Sequence, residues 1–293
     1  MIMEGNILNK RDECPDILSE KMPEGWVCRE IIVTGPFVIG AFLVSPEGFI
    51  YKWRSRFHRK HYNLLDSGSI STWLAPGAIA WWIGVLFAIG ALFFALGSTY
   101  QYIIWAGPYT DAVTYFVGSI FFTTAAFLQY IETVNIRRIP KTMNIEEEIK
   151  LFTWEPRRID WVASIVQLIG TIFFNFSTFF AIDLLLTVQQ INHHVWAPDI
   201  YGSICFLIAS SLIWIEVGHG LFSFKWKNLS WQIAILNLIG SVAFGISAIY
   251  AFVLPSTGEP VSFTIQNWGT FVGGVCFLVA AVLLLPERTM DQN

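Results

Sequence analysis

Charge is what this chain has least of. Only 14% of its 293 residues are charged and 54% are hydrophobic, including 25 phenylalanines, a balance that excludes an ordinary soluble domain. Cysteine is also scarce. Of the four, Cys14 and Cys28 lie in a polar N-terminal stretch and Cys205 and Cys276 inside apolar runs, so neither a disulfide framework nor a zinc spacing is indicated. Sequence signatures of chemistry are missing too. "WAGPYTD" is not a phosphate-binding loop, and "HGLFSF" brings a histidine near a serine without a nucleophile elbow or metallopeptidase spacing. No catalytic constellation is left, and no cofactor is expected. A cleaved secretory signal is not expected either, because the first apolar run starts near Ile31, after a long mixed-charge stretch.

What is present is apolar length. A helix needs about 20 mostly apolar residues to cross a bilayer, because unpaired backbone groups are costly in lipid. Stretches at about 75–97, 112–131, 161–184, 198–217, 231–254 and 267–285 meet that need. The basic residues orient them. Placing the N-terminus, the 132–160 link, the 218–230 link and the C-terminus on one face puts all 18 lysines and arginines there. None is left for the loops at 98–111, 185–197 and 255–266. By the positive-inside rule both termini are cytoplasmic, in a plasma membrane or bacterial inner membrane. Tryptophans border the spans, with Trp81, Trp161 and Trp231 near inner ends and Trp105, Trp196 and Trp268 near outer ends.

The polar N-terminal region, 1–73, contains "IIVTGPFVIGAFLV" at 31–44, which is too short to span comfortably and carries Pro36. It predicts an interfacial or re-entrant helix; as a seventh span it would move the N-terminus outside. "YKWRSRFHRKH", Tyr51 to His61, is expected against anionic headgroups. Nucleic acid, the reading such a cluster would have in a soluble protein, is not expected. The charged link 133–160 predicts a surface helix and turn, punctuated by Pro140 and Pro156.

The spans repeat one another. "WWIGVLFAIG" ends at Gly90, "WVASIVQLIG" at Gly170 and "WQIAILNLIG" at Gly240, each with tryptophan nine residues before the glycine. "GSIFFTTAAFLQYIE", "GSICFLIASSLIWIE" and "GGVCFLVAAVLLLPE" begin at Gly118, Gly202 and Gly273 and end fourteen residues later at Glu132, Glu216 and Glu287. The expected fold is therefore all-α: a polytopic membrane protein of six transmembrane helices in three tandem two-helix hairpins. The hairpins are 74–132, 161–217 and 231–287, followed by a tail at 288–293. Four residues after each key glycine stands a phenylalanine: Phe94, Phe122, Phe174, Phe206, Phe244 and Phe277. Seven after it stands a small residue: Gly97, Ala125, Ser177, Ala209, Ser247 and Ala280. Positions seven apart share a helix face, so each helix presents a small-residue seam beside an aromatic plug, and Gly90, Gly118, Gly170, Gly202, Gly240 and Gly273 are read as helix-packing residues.

"VGSIFFTTAAFLQYIE" and "YGSICFLIASSLIWIE" resemble YrhK-like membrane proteins, small two-helix bacterial domains. The resemblance covers each hairpin within 75–285. It implies membrane residence and no particular reaction. A comparison with mitochondrial carriers fails, because the odd helices lack the proline-acidic-basic signature of those proteins.

Polar residues inside the spans need partners. Asn175, whose counterparts are Ala95 and Gly245, suits an interhelical hydrogen bond or a solute site. Gln167 and Asn237 are candidates for the same polar centre, and Asp183 for a proton or cation interaction. Glu132, Glu216 and Glu287 oppose the dipole at inner helix ends and call for cations or water, with Arg137 or Arg138, Lys225 or Lys227, and Arg288 as candidate partners. They form either an inner-face ring or ordinary interfacial charges. His193, His194, Asp183 and Asp199 are an outer grouping read as solvated side chains in preference to a metal site. The first functional expectation is a non-enzymatic interaction, assembly or lipid-organising protein, with the bilayer and a membrane-protein partner or second copy as partners. The alternative is a small-solute or ion transporter or channel, which requires a polar route through the bundle.

Overall fold

The computed structural model describes residues 25–56, 73–135, 149–218 and 224–287. Among these, six helices are long and apolar enough to cross a membrane. They are α1 (Ile79–Gly97), α2 (Tyr100–Val134), α3 (Ile159–Phe180), α4 (Ala197–Gly218), α5 (Leu229–Tyr250) and α6 (Phe263–Glu287). A short helix at Val188–Gln190 and a π-helical turn at Ile191–Trp196 lead into α4. The assembly is a largely apolar bundle with the general shape of an integral helical membrane protein.

Each helix packs on its neighbours in sequence, and α6 returns to pack on α1, so the six close into a ring. Glycines set the spacing inside each pair. A Cβ placed on Gly90 would lie 2.9 Å from the Gly118 carbonyl oxygen, one on Gly202 3.1 Å from that of Gly170, and one on Gly273 3.0 Å from that of Gly240. Backbones meet where side chains would keep them apart. The following residue works between pairs. Ser203 and Ser241 donate reciprocally to the Phe244 and Phe206 carbonyls at 3.5 and 3.2 Å, Ser119 meets Thr178 at 2.9 Å, and a Cβ on Gly274 would stand 2.9 Å from the Ala95 nitrogen.

The segment expected to be an interfacial or re-entrant helix at 31–44 is instead β-structure, so the chain is not α throughout. Strands β1 (Val27–Thr34), β2 (Phe37–Val44) and β3 (Ile50–Arg54) make an antiparallel sheet in the order β1-β2-β3. The apolar run is two strands and a turn. Gly35, at φ +57°, and Pro36 join Thr34 to its partner Phe37, and β-branched residues fill β1. An apolar run this short has no periodicity to separate helix from strand. Val38, Ala41, Leu43 and Trp53 form the sheet's own core.

The sheet docks on the link before α3. Val38 N–H donates to the Arg157 carbonyl at 2.9 Å, and the neighbouring Arg158 is fully buried. Arg158 reaches Glu155 at 2.6 Å, both oxygens of Asp160 and the Thr133 carbonyl at 3.0 Å. Burial disfavours its charge, but Asp160 and Glu155 outweigh that and raise its pKa above the ordinary arginine value. In the same link, Asn135 clasps Lys150 through both backbone groups, at 2.8 and 2.7 Å. Of the stretch 133–160, where a surface helix is expected, residues 136–148 lie outside the described residues and 149–158 are not helical.

At the end opposite the sheet the connections are more helical than expected. Helix α2 already begins at Tyr100 and is broken at Gly107, φ +78°, directly before Pro108. Proline at a first helical position loses no hydrogen bond the helix would otherwise make, so the chain restarts there toward Val134.

Candidate functional site

The ring encloses an axis, and phenylalanines close it. Phe94, Phe174 and Phe244 from the odd helices form one triangle, with ring centroids 6.3, 6.1 and 5.8 Å apart. Phe122, Phe206 and Phe277 from the even helices form another, at 6.2, 5.7 and 6.1 Å. The two triangles stack through hairpin partners at 5.3, 5.1 and 5.2 Å. All six residues are buried. Their position follows from the glycines: four residues on is one helical turn, so a ring lands beside each glycine contact and points inward.

A chamber of about 510 Å³ lies on the far side of this layer from the sheet. Its floor is Phe94, Phe174 and Phe244, and aromatic side chains of Tyr115, Trp196 and Phe263 stand in its wall. Asp111, Asp199 and Glu259 also line it, whereas among the described residues no lysine, arginine or histidine does. Asp111 Oδ1 is buried and has no hydrogen-bond partner among the described residues. The rim is fixed by Asn192, which clasps both backbone groups of Val253 at 2.7 and 3.0 Å, and by Trp196, which donates to the Ala248 carbonyl at 2.9 Å.

On the sheet side of the layer is a smaller cavity of about 40 Å³, room for a few waters at most. Gln129, Gln167 and Asn237 supply its polar wall, Phe122 and Phe277 its ceiling, and Arg56 approaches from the sheet. Gln129 donates to Gln167 at 3.2 Å. Below this, Glu132, Glu216 and Glu287 are buried at the bundle end. Arg56 donates to Glu287 Oε1 through Nε at 2.9 Å and Nη2 at 2.7 Å, and Ser230 donates to the same oxygen at 2.6 Å. Ser55, its neighbour in the chain, donates to Glu216.

The sequence candidates therefore separate. Gln167 and Asn237 do share a chamber. Asn175 does not line it: its Nδ2 donates to Thr123 across the α2–α3 contact at 2.8 Å, the interhelical bond expected of an amide in lipid. Asp183 is exposed in the turn after α3, where its Oδ1 accepts from Leu185 N–H at 3.0 Å, so it is not within a span. Glu287 takes Arg56 as a cationic partner; Arg137, Arg138 and Arg288 lie outside the described residues. Lys225 donates instead to the Val217 carbonyl at 3.3 Å; its pKa is lowered by burial and then by Arg54. Of the basic stretch at 51–61, Arg56 points into the bundle end and residues 57–61 lie outside the described residues. His194 stacks on Phe180, His193 is exposed, and among the described residues no three His, Cys, Asp or Glu side chains gather as a metal site would require.

Asp111, Glu259, Gln129 and Arg56 were not singled out by the sequence reading, and Asp199 only as part of a surface grouping. For most of them a signal existed in the glycine register. Asp111, Val195 and Gln266 stand seven residues before Gly118, Gly202 and Gly273, and Tyr115, Asp199 and Thr270 three before; all six line the larger chamber. Phe87, Gln167 and Asn237 stand three before Gly90, Gly170 and Gly240, and Gln129, Ile213 and Leu284 eleven after the even-helix glycines; all six line the smaller one on the sheet side. Arg56 and Glu259 lie outside the register. The chain matches no protein-family model, no curated protein and no solved structure.

Proposed function

We propose that this chain is an integral membrane protein whose helix ring forms a gated path for a small cation, closed in this conformation by the phenylalanine layer. The observation that carries the reading is two chambers stacked on one axis with six aromatic rings between them. Carboxylates without basic neighbours in the outer chamber favour cations over anions. A hydrophobic constriction gates by excluding water, and amides beyond it offer oxygen ligands to an ion that has passed. The small-residue seams that argued for an assembly role are used within the ring, between its own helices.

The reading includes an orientation and an ancestry. The outer chamber faces outside and the sheet faces the cytoplasm, in keeping with the positive-inside pattern. The hairpins are three tandem copies of one unit, supported by the shared register of glycine, phenylalanine and chamber-lining residues. They are of YrhK-like type, a resemblance carried by the hairpin sequences alone.

The test is accessibility of single cysteines in an otherwise cysteine-free protein. Ser203→Cys and Ser247→Cys, in the outer chamber wall, should react from outside at least about tenfold faster with a cationic than with an anionic methanethiosulfonate, the field of the carboxylates concentrating the cation. Asn237→Cys should be out of reach from outside until Phe94→Ala and Phe122→Ala, which take one ring from each triangle, are added. Equal rates for both reagents, or an Asn237→Cys that stays shielded after the layer is cut, would overturn the proposal.

A further inference from the structure

Arg56 is the one described cation that lines either chamber. It does not belong to the helix ring. It follows β3 and so comes from the sheet, yet its guanidinium is buried at the inner end of the bundle against Glu287, on the wall that also carries Gln129, Gln167 and Asn237. We propose that Arg56 is a tethered cation that closes the inner mouth: it occupies the station a passing cation would take at Glu287, and the path opens when the sheet withdraws it. This rests on the pathway reading above and adds to it a second barrier and the element that controls it.

Three observations support a removable plug over a permanent anchor. The carboxylate is assembled independently of the guanidinium, because Ser230 on α5 donates to the same Glu287 oxygen that receives both arginine bonds. Were Arg56 to leave, Glu287 would keep that hydroxyl and the adjoining amide-lined cavity, which is a set of oxygen ligands suited to a cation. Second, a buried carboxylate left without a cation is costly, so the guanidinium leaves Glu287 as another cation takes its place, and plug and passing ion compete for one station. Third, the sheet has its own small core at Val38, Ala41, Leu43 and Trp53, so it can move as a body, withdrawing Ser55 from Glu216 on α4 as it withdraws Arg56.

The experiment is potassium flux through the full-length protein in phosphatidylcholine vesicles. It compares Phe94→Ala/Phe122→Ala, which removes one ring from each aromatic triangle, with the same protein carrying Arg56→Gln in addition. Removing the guanidinium should raise flux at least about tenfold, since one partner of a buried pair is lost and the latched state with it. Arg56→Met in place of Arg56→Gln should raise it as well, because it also removes the charge and keeps Glu287, and it provides a second route if the first variant fails to fold. Millimolar guanidinium added on the sheet side should restore the block in the Arg56→Gln protein and leave an anchor-only role unmoved. If the layer-cut protein already conducts as fast with Arg56 as without it, or if guanidinium restores nothing, the plug is overturned while the pathway stands. If both proteins stay at the rate of empty vesicles, the plug and the pathway fall together.

Discussion

Phe94, Phe174 and Phe244 reach the axis for the same reason that Gly90, Gly170 and Gly240 lie buried between helices: one helical turn separates them on a shared face. Edge-to-face and tilted aromatic pairs are each worth about 0.5–1.5 kcal/mol beyond their burial. Glycine is needed where its missing Cβ is already occupied. A Cβ on Gly170 would stand 2.8 Å from that of Cys205, whereas one on Gly245 meets nothing within 4 Å. Gly170→Ala should therefore lose about 1–3 kcal/mol of stability to crowding, outrunning its gain in helix propensity, and Gly245→Ala should gain up to about 1 kcal/mol. Thermal unfolding in detergent checks this, and equal shifts for the two would refute the glycine argument. At this scale the sequence was readable wherever a residue type recurred in register. Asn175 stood out as an interruption of that pattern, and its bond to Thr123 matches the packing role. Asp111 was missed because a lone carboxylate beside a glycine-proline turn looks like surface.

Helices and strands differ in how much of themselves they disclose. Five turns of apolar sequence identify a membrane helix almost without context, which is why the six spans were found to within a few residues at most ends. Eight-residue strands do not carry enough period. β1 and β2 were hidden in one run that Gly35 and Pro36 divide. The link before α3 was legible as charged, but its tie to the sheet and to α2 was not, because Val38 and Thr133, which it bonds through Arg157 and Arg158, lie far from it in sequence. Arg158→Met should cost about 3–5 kcal/mol, since it leaves Asp160 and Glu155 buried without this guanidinium. Salt should change that loss little, because the pair is shielded from solvent ions. Unfolding midpoints of both proteins at low and high salt measure it; a loss that vanishes in salt would place the pair at the surface.

Across the whole molecule the described lysines and arginines keep to one end. Lys52, Arg54, Arg56, Arg158 and Lys225 gather at the sheet, together with Glu132, Glu216 and Glu287, whereas the larger chamber is lined by Asp111, Asp199 and Glu259 without a described basic residue. In intact cells, Thr257→Cys on a cysteine-free background should be labelled by an impermeant maleimide and Lys227→Cys should not. The reverse pattern would invert the orientation and place the sheet outside. Individual basic residues could be counted along the chain; that one of them enters the bundle could not, because Arg56 and Glu287 meet across 231 positions.

Joining the three hairpins in one polypeptide has a further effect on the inner chamber. A ring self-assembled from identical hairpins would repeat any lining residue three times around the axis, so an amide at that level would be all or nothing. Here the equivalent positions are Phe87, Gln167 and Asn237, and at the next level Gln129, Ile213 and Leu284. Amides thus stand on α2, α3 and α5 and apolar side chains on α1, α4 and α6, so whatever moves along the axis meets a wall that differs from one helix to the next.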